Sequence, residues 1–396
     1  MLILVCNVGS TSLKYKLFNM PSTDILVESK VERVGSDKAI FHYKNHVKNV
    51  ADSMEGLHIS SYTEGIQLFL KYLTDEKMGA IQSMDQVAAI GFKTVLAKGY
   101  YGVHELTAQV IQAMRDFIVL APAHNPPYIE AIEMFKKLLP DKLMVGVFET
   151  AFHTTIPLKR KLYALPYDWY EKYDVQRLGF HGSSHNYIAR QITKLAQGKP
   201  YKLISCHLGG SGSLCAIENG KSVDTSFGIS LQTGIPHANR VGDFDAYIIP
   251  YLLKEGLTEE DIRKGLAKEG GLLGISGVSN DLRDIENAAA QGNKRAQLAI
   301  DVFCENIIKY IGAFTAELGG LDYLTFTGGI GENSSQVRKL ICQRLGYLGA
   351  KLDEEANKTT GQNKLISTAD SAVKIYVIPA NEEVGIAQTI AEQFFS

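Results

Sequence analysis

The chain has 396 residues, a formal net charge of −2, 45% hydrophobic residues and 21% charged residues. That length suits two domains at roughly 150 residues each, the composition excludes a disordered chain, and the near-neutral charge offers no electrostatic grip on nucleic acid or an anionic membrane surface. No apolar run approaches the roughly 18 residues of a membrane helix, and the opening MLILVCN lacks the cationic flank of a signal peptide.

Short β-branched runs alternate with amphipathic stretches, the pattern of an α/β protein. Strands are expected at Leu2–Val8, Lys14–Phe18, Val87–Phe92, Leu143–Phe148, Leu203–Leu208, Leu214–Glu218, Tyr323–Thr327 and Lys374–Pro379. A helix is expected after Asn125, with Asn125 as cap, Pro126 and Pro127 in the first turn, and Ile129, Ile132 and Phe135 on one face. A long helix is expected from about Lys294 to Leu318, stopped by Gly319-Gly320.

The first strand ends in Cys6-Asn7-Val8-Gly9-Ser10-Thr11-Ser12-Leu13, and about two hundred residues later stands Cys206-His207-Leu208-Gly209-Gly210-Ser211-Gly212-Ser213-Leu214. Each reads as strand, small-residue turn, strand. The repetition suggests a duplicated domain with one such hairpin per half. Small residues let backbone N–H groups approach a phosphate, and Ser/Thr hydroxyls add donors. Two ordinary β-turns, where Gly and Ser are common, remain the plainer reading of the same residues.

Familiar motifs are mostly excluded. There is no GxxxxGK[ST] loop. Gly329-Ile330-Gly331-Glu332-Asn333-Ser334 lacks the third glycine of a dinucleotide fingerprint, but it follows a strand and should open a helix near Gln336, whose N-terminus could receive an anion. No nucleophile elbow surrounds Ser211 or Ser213. His181 and His185 lack the glutamate and third ligand of a zinc site. Five scattered cysteines without a CxxC suggest free thiols in a reducing, cytoplasmic setting.

Several strings together resemble the acetate kinase family. Asn7-Val8-Gly9-Ser10-Thr11-Ser12-Leu13-Lys14 is similar to its opening signature and Gly179-Phe180-His181-Gly182-Ser183-Ser184-His185 to its second. Leu120–Pro126, Thr225-Ser226 with Arg240–Asp243, Ser279–Asp284, Gly328–Asn333 and Pro379–Glu383 follow in the family's order. The resemblance implies the duplicated RNase H-like α/β fold of actin, hexokinase and heat-shock ATPases, with a nucleotide cleft between the domains. The first domain would span 1–150 and regain the last helix, about 383–396; the second would span 151–382. It further implies reversible transfer of phosphoryl between ATP/ADP and a short-chain carboxylate such as acetate or propionate, with Mg2+ or Mn2+, in a homodimer. Neither nucleic acid nor membrane is an expected partner.

By the same resemblance Arg240 and His181 would stabilise the transferring phosphoryl, with Glu149 as the catalytic carboxylate. Lys93, Val95, Ala123, His124, Phe180 and Leu231 would hold the acid; His124 could equally shape its loop. Asn7 and Glu382 would face the metal, although Glu382 could simply favour its helix N-terminus. Ser10, Ser12, Lys14, His207, Gly209, Gly210, Ser211 and Gly212 would meet the nucleotide phosphates. Asp281, Leu282 and Arg283 would meet the adenosine, with Gly329, Ile330, Gly331, Glu332 and Asn333 closing over it.

The chain departs from the family around the acid. Where the family reads GHRVVHGG, this sequence has Gly91-Phe92-Lys93-Thr94-Val95-Leu96-Ala97-Lys98, so a lysine replaces the planar arginine fork. Glu149 replaces an aspartate, adding a methylene where misplacement by about an ångström matters for rate. The second phosphate turn lacks the family's asparagine, and Ala123 and Leu231 replace a leucine and a proline. These changes keep two alternatives open: a kinase for a different small acid, or a degenerate nucleotide-binding homologue with a regulatory role.

Overall fold

The computed structural model describes residues 1–9, 11–122 and 124–395. The chain divides into two compact units, Met1–Ala151 with Asn381–Ser396, and Phe152–Ala380.

Unit 1 is built on an eight-stranded sheet: β1 (Leu2–Gly9), β2 (Ser12–Asn19), β3 (Asp24–Glu32), β4 (Ser36–Asn45), β5 (Val50–Ile59), β6 (Val87–Thr94), β7 (Val103–Glu105) and β8 (Met144–Phe148), in the order β5-β4-β3-β2-β1-β6-β8-β7. Unit 2 carries six strands: β9 (Lys202–His207), β10 (Ser213–Glu218), β11 (Lys221–Thr225), β12 (Tyr323–Thr327), β13 (Lys364–Leu365) and β14 (Lys374–Val377), in the order β11-β10-β9-β12-β14-β13.

The two sheets have the same central arrangement. In unit 1, β3, β2 and β1 run antiparallel, and β1, β6 and β8 run parallel. In unit 2, β11, β10 and β9 run antiparallel, and β9, β12 and β14 run parallel. The order 3-2-1-4-5 with this change of direction therefore occurs twice, which is the duplication that the paired small-residue turns suggest. The first hairpin closes at Gly9–Ser12, whereas the second opens earlier, at His207–Ser213, and leaves a wider loop.

Alternation along the strands assigns the faces. On β2, Leu13 and Tyr15 face the helix Tyr62–Leu73: Tyr15 stacks on Phe69 at 3.9 Å, and a Cβ on Gly65 would lie 3.0 Å from Leu13. On β6, Phe92 packs edge-on against Phe135 of the helix Asn125–Leu138. Gly91, its neighbour, points to the other face, where a Cβ would lie 2.3 Å from Ile390. That close approach seats the last helix, Glu382–Phe394, on β1 and β6 of unit 1.

In unit 2 the even positions of β9, Ile204 and Cys206, pack with Phe303, Ile307, Ile311 and Phe314 of the helix Lys294–Leu318. Gly319, at φ +66°, ends that helix as expected. The odd position Leu203 packs with Ile188, Ala189 and Ile192 of the helix Gly182–Ala196.

Three local expectations need correction. Asn125 is the first helical residue and His124 the cap position; the Asn125 amide is buried and donates to the carbonyls of Leu96 and Met114 at 2.8 and 2.7 Å. It thus anchors the helix laterally. The glycine string is a short helix, Gly328–Asn333, rather than a turn, while the helix expected near Gln336 is present as Ser335–Cys342, capped by Ser334. The strands β3–β5 are absent from the sequence-based expectation because their outward residues are charged and polar; β5 reads VADSMEGLHI, with little apolar alternation.

Candidate active site

Each unit presents its own group of expected site residues. In unit 1 they gather where β1 and β6 end and the last helix begins. Lys93, near the end of β6, donates its ammonium to Glu382, and its Nζ lies 3.9 Å from Glu149. Burial works against a charge on Lys93, but the carboxylates of Glu149 and Glu382 outweigh it and hold the ammonium well above its ordinary range. The departure from arginine therefore keeps its charge, as one end of a largely buried ion cluster.

Asn7 lies alongside. Its Oδ1 accepts the Tyr128 hydroxyl at 3.0 Å, its Nδ2 donates to Glu383 at 3.4 Å, and the Tyr128 oxygen accepts the Val8 N–H at 3.2 Å. Lys16 lies 3.9 Å from Glu383. Tyr128, Glu383 and Lys16 are additions that the structure makes to the group; Glu383, beside Glu382 at a helix start, carries a signal in sequence, whereas Tyr128 carries none. Ser12 sits over the turn, its hydroxyl 2.6 Å from where a Cβ on Gly9 would be. Lys14 is exposed and lines a cavity of about 700 Å³ on the outer face of β2–β5 with Lys16, Lys30 and Lys44. His124 is exposed at its helix start and Val95 is buried. Ser10 and Ala123 lie outside the described residues.

In unit 2 the parts are tied backbone to backbone. The loop after β9 is held by Leu208, whose N–H donates to Thr327 at 2.8 Å and whose carbonyl accepts from Ile330 and Gly331 at 2.8 and 3.0 Å. Gly212 gives its N–H to His237 Nδ1 at 3.1 Å, and Ala238 gives its N–H to the Gly210 carbonyl at 2.9 Å. His237 then donates Nε2–H to Thr233 at 3.2 Å, and burial pushes it down to about 3, so it stays neutral. Arg240 follows a few residues on. Its Nη1 donates to the Leu231 carbonyl at 2.5 Å, and burial pushes it down to about 10 while leaving it cationic at neutral pH.

Gly271 supports that loop. It adopts φ +59°, and a Cβ there would lie 2.1 Å from the His237 carbonyl oxygen and 2.7 Å from that of Arg240. The N–H groups of Leu272 and Leu273 accordingly bind the carbonyls of His237 and Ala238 at 2.8 and 2.9 Å.

His181 has φ +57°, a left-handed conformation that costs an ordinary residue about 1–2 kcal/mol. It stacks on His207 at 4.1 Å and meets Phe227 edge-on at 5.2 Å. Its neighbour Phe180 is buried against Phe227.

The remaining expected nucleotide contacts are sorted by burial. Leu282 lies in the hydrophobic core of unit 2, so its side chain does not face a ligand. Asp281 caps its helix and pairs with Arg283 at 2.5 Å, and the guanidinium holds its carboxyl down near 2. Glu332 accepts N–H groups from Gly328 and Ala380, both at 2.9 Å, and so braces its own turn. Asn333 likewise donates to Gly329 at 2.9 Å. The Gly331 carbonyl accepts from buried Arg338 at 2.8 Å, a contact the sequence does not signal. A Cβ on Gly329 would meet nothing within 4 Å, so this residue offers an open backbone surface. Among the described residues no group of three or more His, Cys, Asp or Glu could hold a metal.

The chain matches the model of the acetokinase family over residues 2–388. It is 44% identical to the acetate kinase of Clostridium novyi, over 99% of this chain and 98% of that one. Among solved structures it is similar to the acetate kinase of Porphyromonas gingivalis, with TM-score 0.87, 37% identity and 98% of each chain covered. The propionate kinase of Francisella tularensis matches with TM-score 0.86 and 33% identity, again over 98% of each chain.

Proposed function

The chain belongs to the acetokinase family and phosphorylates a carboxylate from ATP; on that premise we propose how its residues divide the work and that a short-chain acid, acetate or propionate by default, is the acceptor. A carboxylic acid is already ionised at pH 7, so the acceptor needs no general base. The difficulty is bringing an anion to a polyanion, and catalysis rests on positioning and cations.

The observation that carries this reading is the tie between Arg240's loop and the glycine loop, through Ala238–Gly210 and Gly212–His237. It ties the backbone two residues before Arg240 to the glycine turn, and a guanidinium carried beside such a turn would suit the equatorial oxygens of a phosphoryl group. His181 supplies a second donor from the same unit.

In unit 1, Lys93 takes the acid's carboxylate as a point charge. Glu149 keeps Lys93 ionised and placed; no proton transfer is assigned to it. Lys93, Glu149, Glu382, Glu383 and Lys16 sum to −1, so this cluster alone repels an acid anion. A divalent cation carried by the nucleotide reverses that sign. The oxygens of Asn7, Glu382 and Glu383 are hard donors suited to the water shell of Mg2+, which takes few protein ligands. The ion therefore enters with ATP as substrate.

A homodimer is the expected assembly, and exposed Tyr247, Ile248 and Tyr251 supply apolar surface for one. No helix among the described residues is long and apolar enough to cross a membrane, and all five cysteines are free thiols, which suits a cytoplasmic setting.

The test is ADP release from Mg-ATP across formate, acetate, propionate, butyrate and hydroxy or branched acids, with hydroxylamine trapping the acyl phosphate. Acid-dependent ADP with a trapped hydroxamate supports the reading and names the acid. ATP binding without acid-dependent turnover across that panel overturns the short-chain assignment.

A further inference from the structure

The helix Gly182–Ala196 and the strands β9 and β10 meet in a layer that is apolar at one end and polar at the other. Along β9 the facing residues run Leu203, Ser205, His207; along β10 they run Ile217, Cys215, Ser213; along the helix they run Ile192, Ile188, His185. The polar end forms a chain of hydrogen bonds. Ser205 Oγ lies 2.9 Å from His185 Nδ1, His185 Nε2 lies 2.9 Å from Ser213 Oγ, and Ser213 Oγ lies 2.8 Å from His181 Nδ1. Ser205, His185 and Ser213 are all fully buried.

Burial fixes the direction of that chain. The hydroxyl of Ser205 has one side-chain partner, His185 Nδ1. Thr325, opposite it in register on β12, has its own hydroxyl unpartnered and does not take the proton. A buried O–H left without an acceptor costs about 1–3 kcal/mol, so Ser205 donates to His185 Nδ1. Burial and the neighbouring His153 and His207 push His185 far below its ordinary range, so it is neutral. A neutral imidazole has one N–H, which must then sit on Nε2 and point to Ser213. Ser213, receiving that bond, gives its own proton to His181 Nδ1.

We propose that Ser205, His185 and Ser213 are positioning residues that hold His181 as the neutral tautomer protonated on Nε2. The proposal rests on the reading of His181 as a phosphoryl-facing donor and supplies its protonation state. Reversing the chain to place a proton on His181 Nδ1 leaves Ser205 without an acceptor, so the imidazolium is disfavoured. The same rule reaches His207: buried Ser184 has its Oγ 2.8 Å from His207 Nδ1 and donates there. Both stacked imidazoles thus carry N–H on Nε2, and Arg240 remains the cation of this unit's group. A neutral donor strengthens with charge building on the phosphoryl oxygens while binding the ground-state nucleotide less tightly than an imidazolium does.

The experiment is 15N NMR of the full-length protein labelled in histidine at pH 7.5, with His181 assigned through His181→Gln. The expected spectrum has His181 Nδ1 as an unprotonated ring nitrogen and Nε2 as a protonated one. Ser205→Ala should move His181 toward a tautomer mixture and lower kcat about fivefold, the worth of one hydrogen bond, with KM for ATP little changed; Ser205→Thr should restore both. If Ser205→Ala does not fold, Ser213→Ala gives the same reading through the adjacent link. A wild-type His181 protonated on Nδ1 overturns the proposal, as does a spectrum unmoved by both variants. The expected spectrum together with full turnover in His181→Gln removes His181 from catalysis while the tautomer chain stands.

Discussion

Lys93 on β6 is paired with Glu382, the first residue of the last helix, 289 positions away. The residue proposed to hold the acid is therefore also one that pairs β6 with the last helix of unit 1. Removing its charge should cost stability as well as activity. Lys93→Gln leaves two largely buried carboxylates without their cation, a loss of about 3 kcal/mol, read by chemical denaturation. The pH dependence follows from the raised ammonium. A cation held above its ordinary value contributes fully below about pH 10 and is lost only as pH rises beyond that. The difference between wild type and variant should thus be constant from pH 6 to pH 9; a difference that vanishes at the alkaline end of that range contradicts the pairing.

Lys93→Arg tests the clamp itself. The planar fork can hold a carboxylate through two parallel bonds, so KM for acetate should fall if the lysine merely weakens the grip. Loss of activity instead means that the pocket is built around a lysine and another acid.

Arg240→Ala should lower kcat by about 10²–10³-fold, the scale of losing a preorganised transition-state donor, with ADP affinity by calorimetry nearly unchanged. Unaltered turnover removes Arg240 from the mechanism.

Two glycines should behave oppositely. Gly271→Ala drives a Cβ into the carbonyls of His237 and Arg240 at a positive φ, so it should destabilise by at least about 1 kcal/mol and lower kcat by shifting Arg240. Gly329→Ala has open space and a helical position, so it should keep or slightly raise the melting temperature. If nucleotide covers that surface, KM for ATP rises; an unchanged KM places the adenosine elsewhere.

Acid should not bind first. The net −1 of the unit 1 cluster predicts weak acetate binding to the free protein and measurable binding in the presence of Mg-ADP. Equal heats of acetate binding with and without Mg-ADP would falsify the charge argument.

Buried histidines set an acid limit. His153 is pushed down to about 4 and His237 to about 3, both chiefly by burial. Each stays neutral when folded but takes a proton near pH 6.5 when unfolded, so the unfolded chain binds more protons below that point. Stability should then fall as pH drops from about 6.5 to 4, by up to about 1.4 kcal/mol per pH unit for each histidine. Denaturant midpoints that stay level across that window contradict their burial.

The duplication is legible in sequence because each hairpin juxtaposes a strand end with a run of Gly and Ser, and a strand such as Met144–Phe148 is an unbroken run without a polar side chain. The meander β3–β5 is not, since a sheet with one solvated face dilutes the apolar signal. Arg240 and His181 can be found through their strings. Ser205 cannot: a serine in a buried strand has no local signature, and its role exists only once the fold sets a histidine opposite. Ser184 stands in the same string as His181, but nothing there points to His207 as its partner. Leu282 shows the converse, a motif neighbour whose side chain the core claims. Lys93 and Glu382 each stand out in sequence, yet their pairing is invisible there because only the return of the last helix to β6 joins them.

That return has a consequence for synthesis on the ribosome. Unit 2 is contiguous and can close as soon as Ala380 has emerged. Unit 1 begins first yet finishes last, since Gly91 on β6 waits for Ile390 to cover it. Until then the nascent chain carries a bare apolar sheet face and a Lys93 with only one of its two carboxylates, so the first sheet to be synthesised is completed only after the whole of unit 2 has emerged.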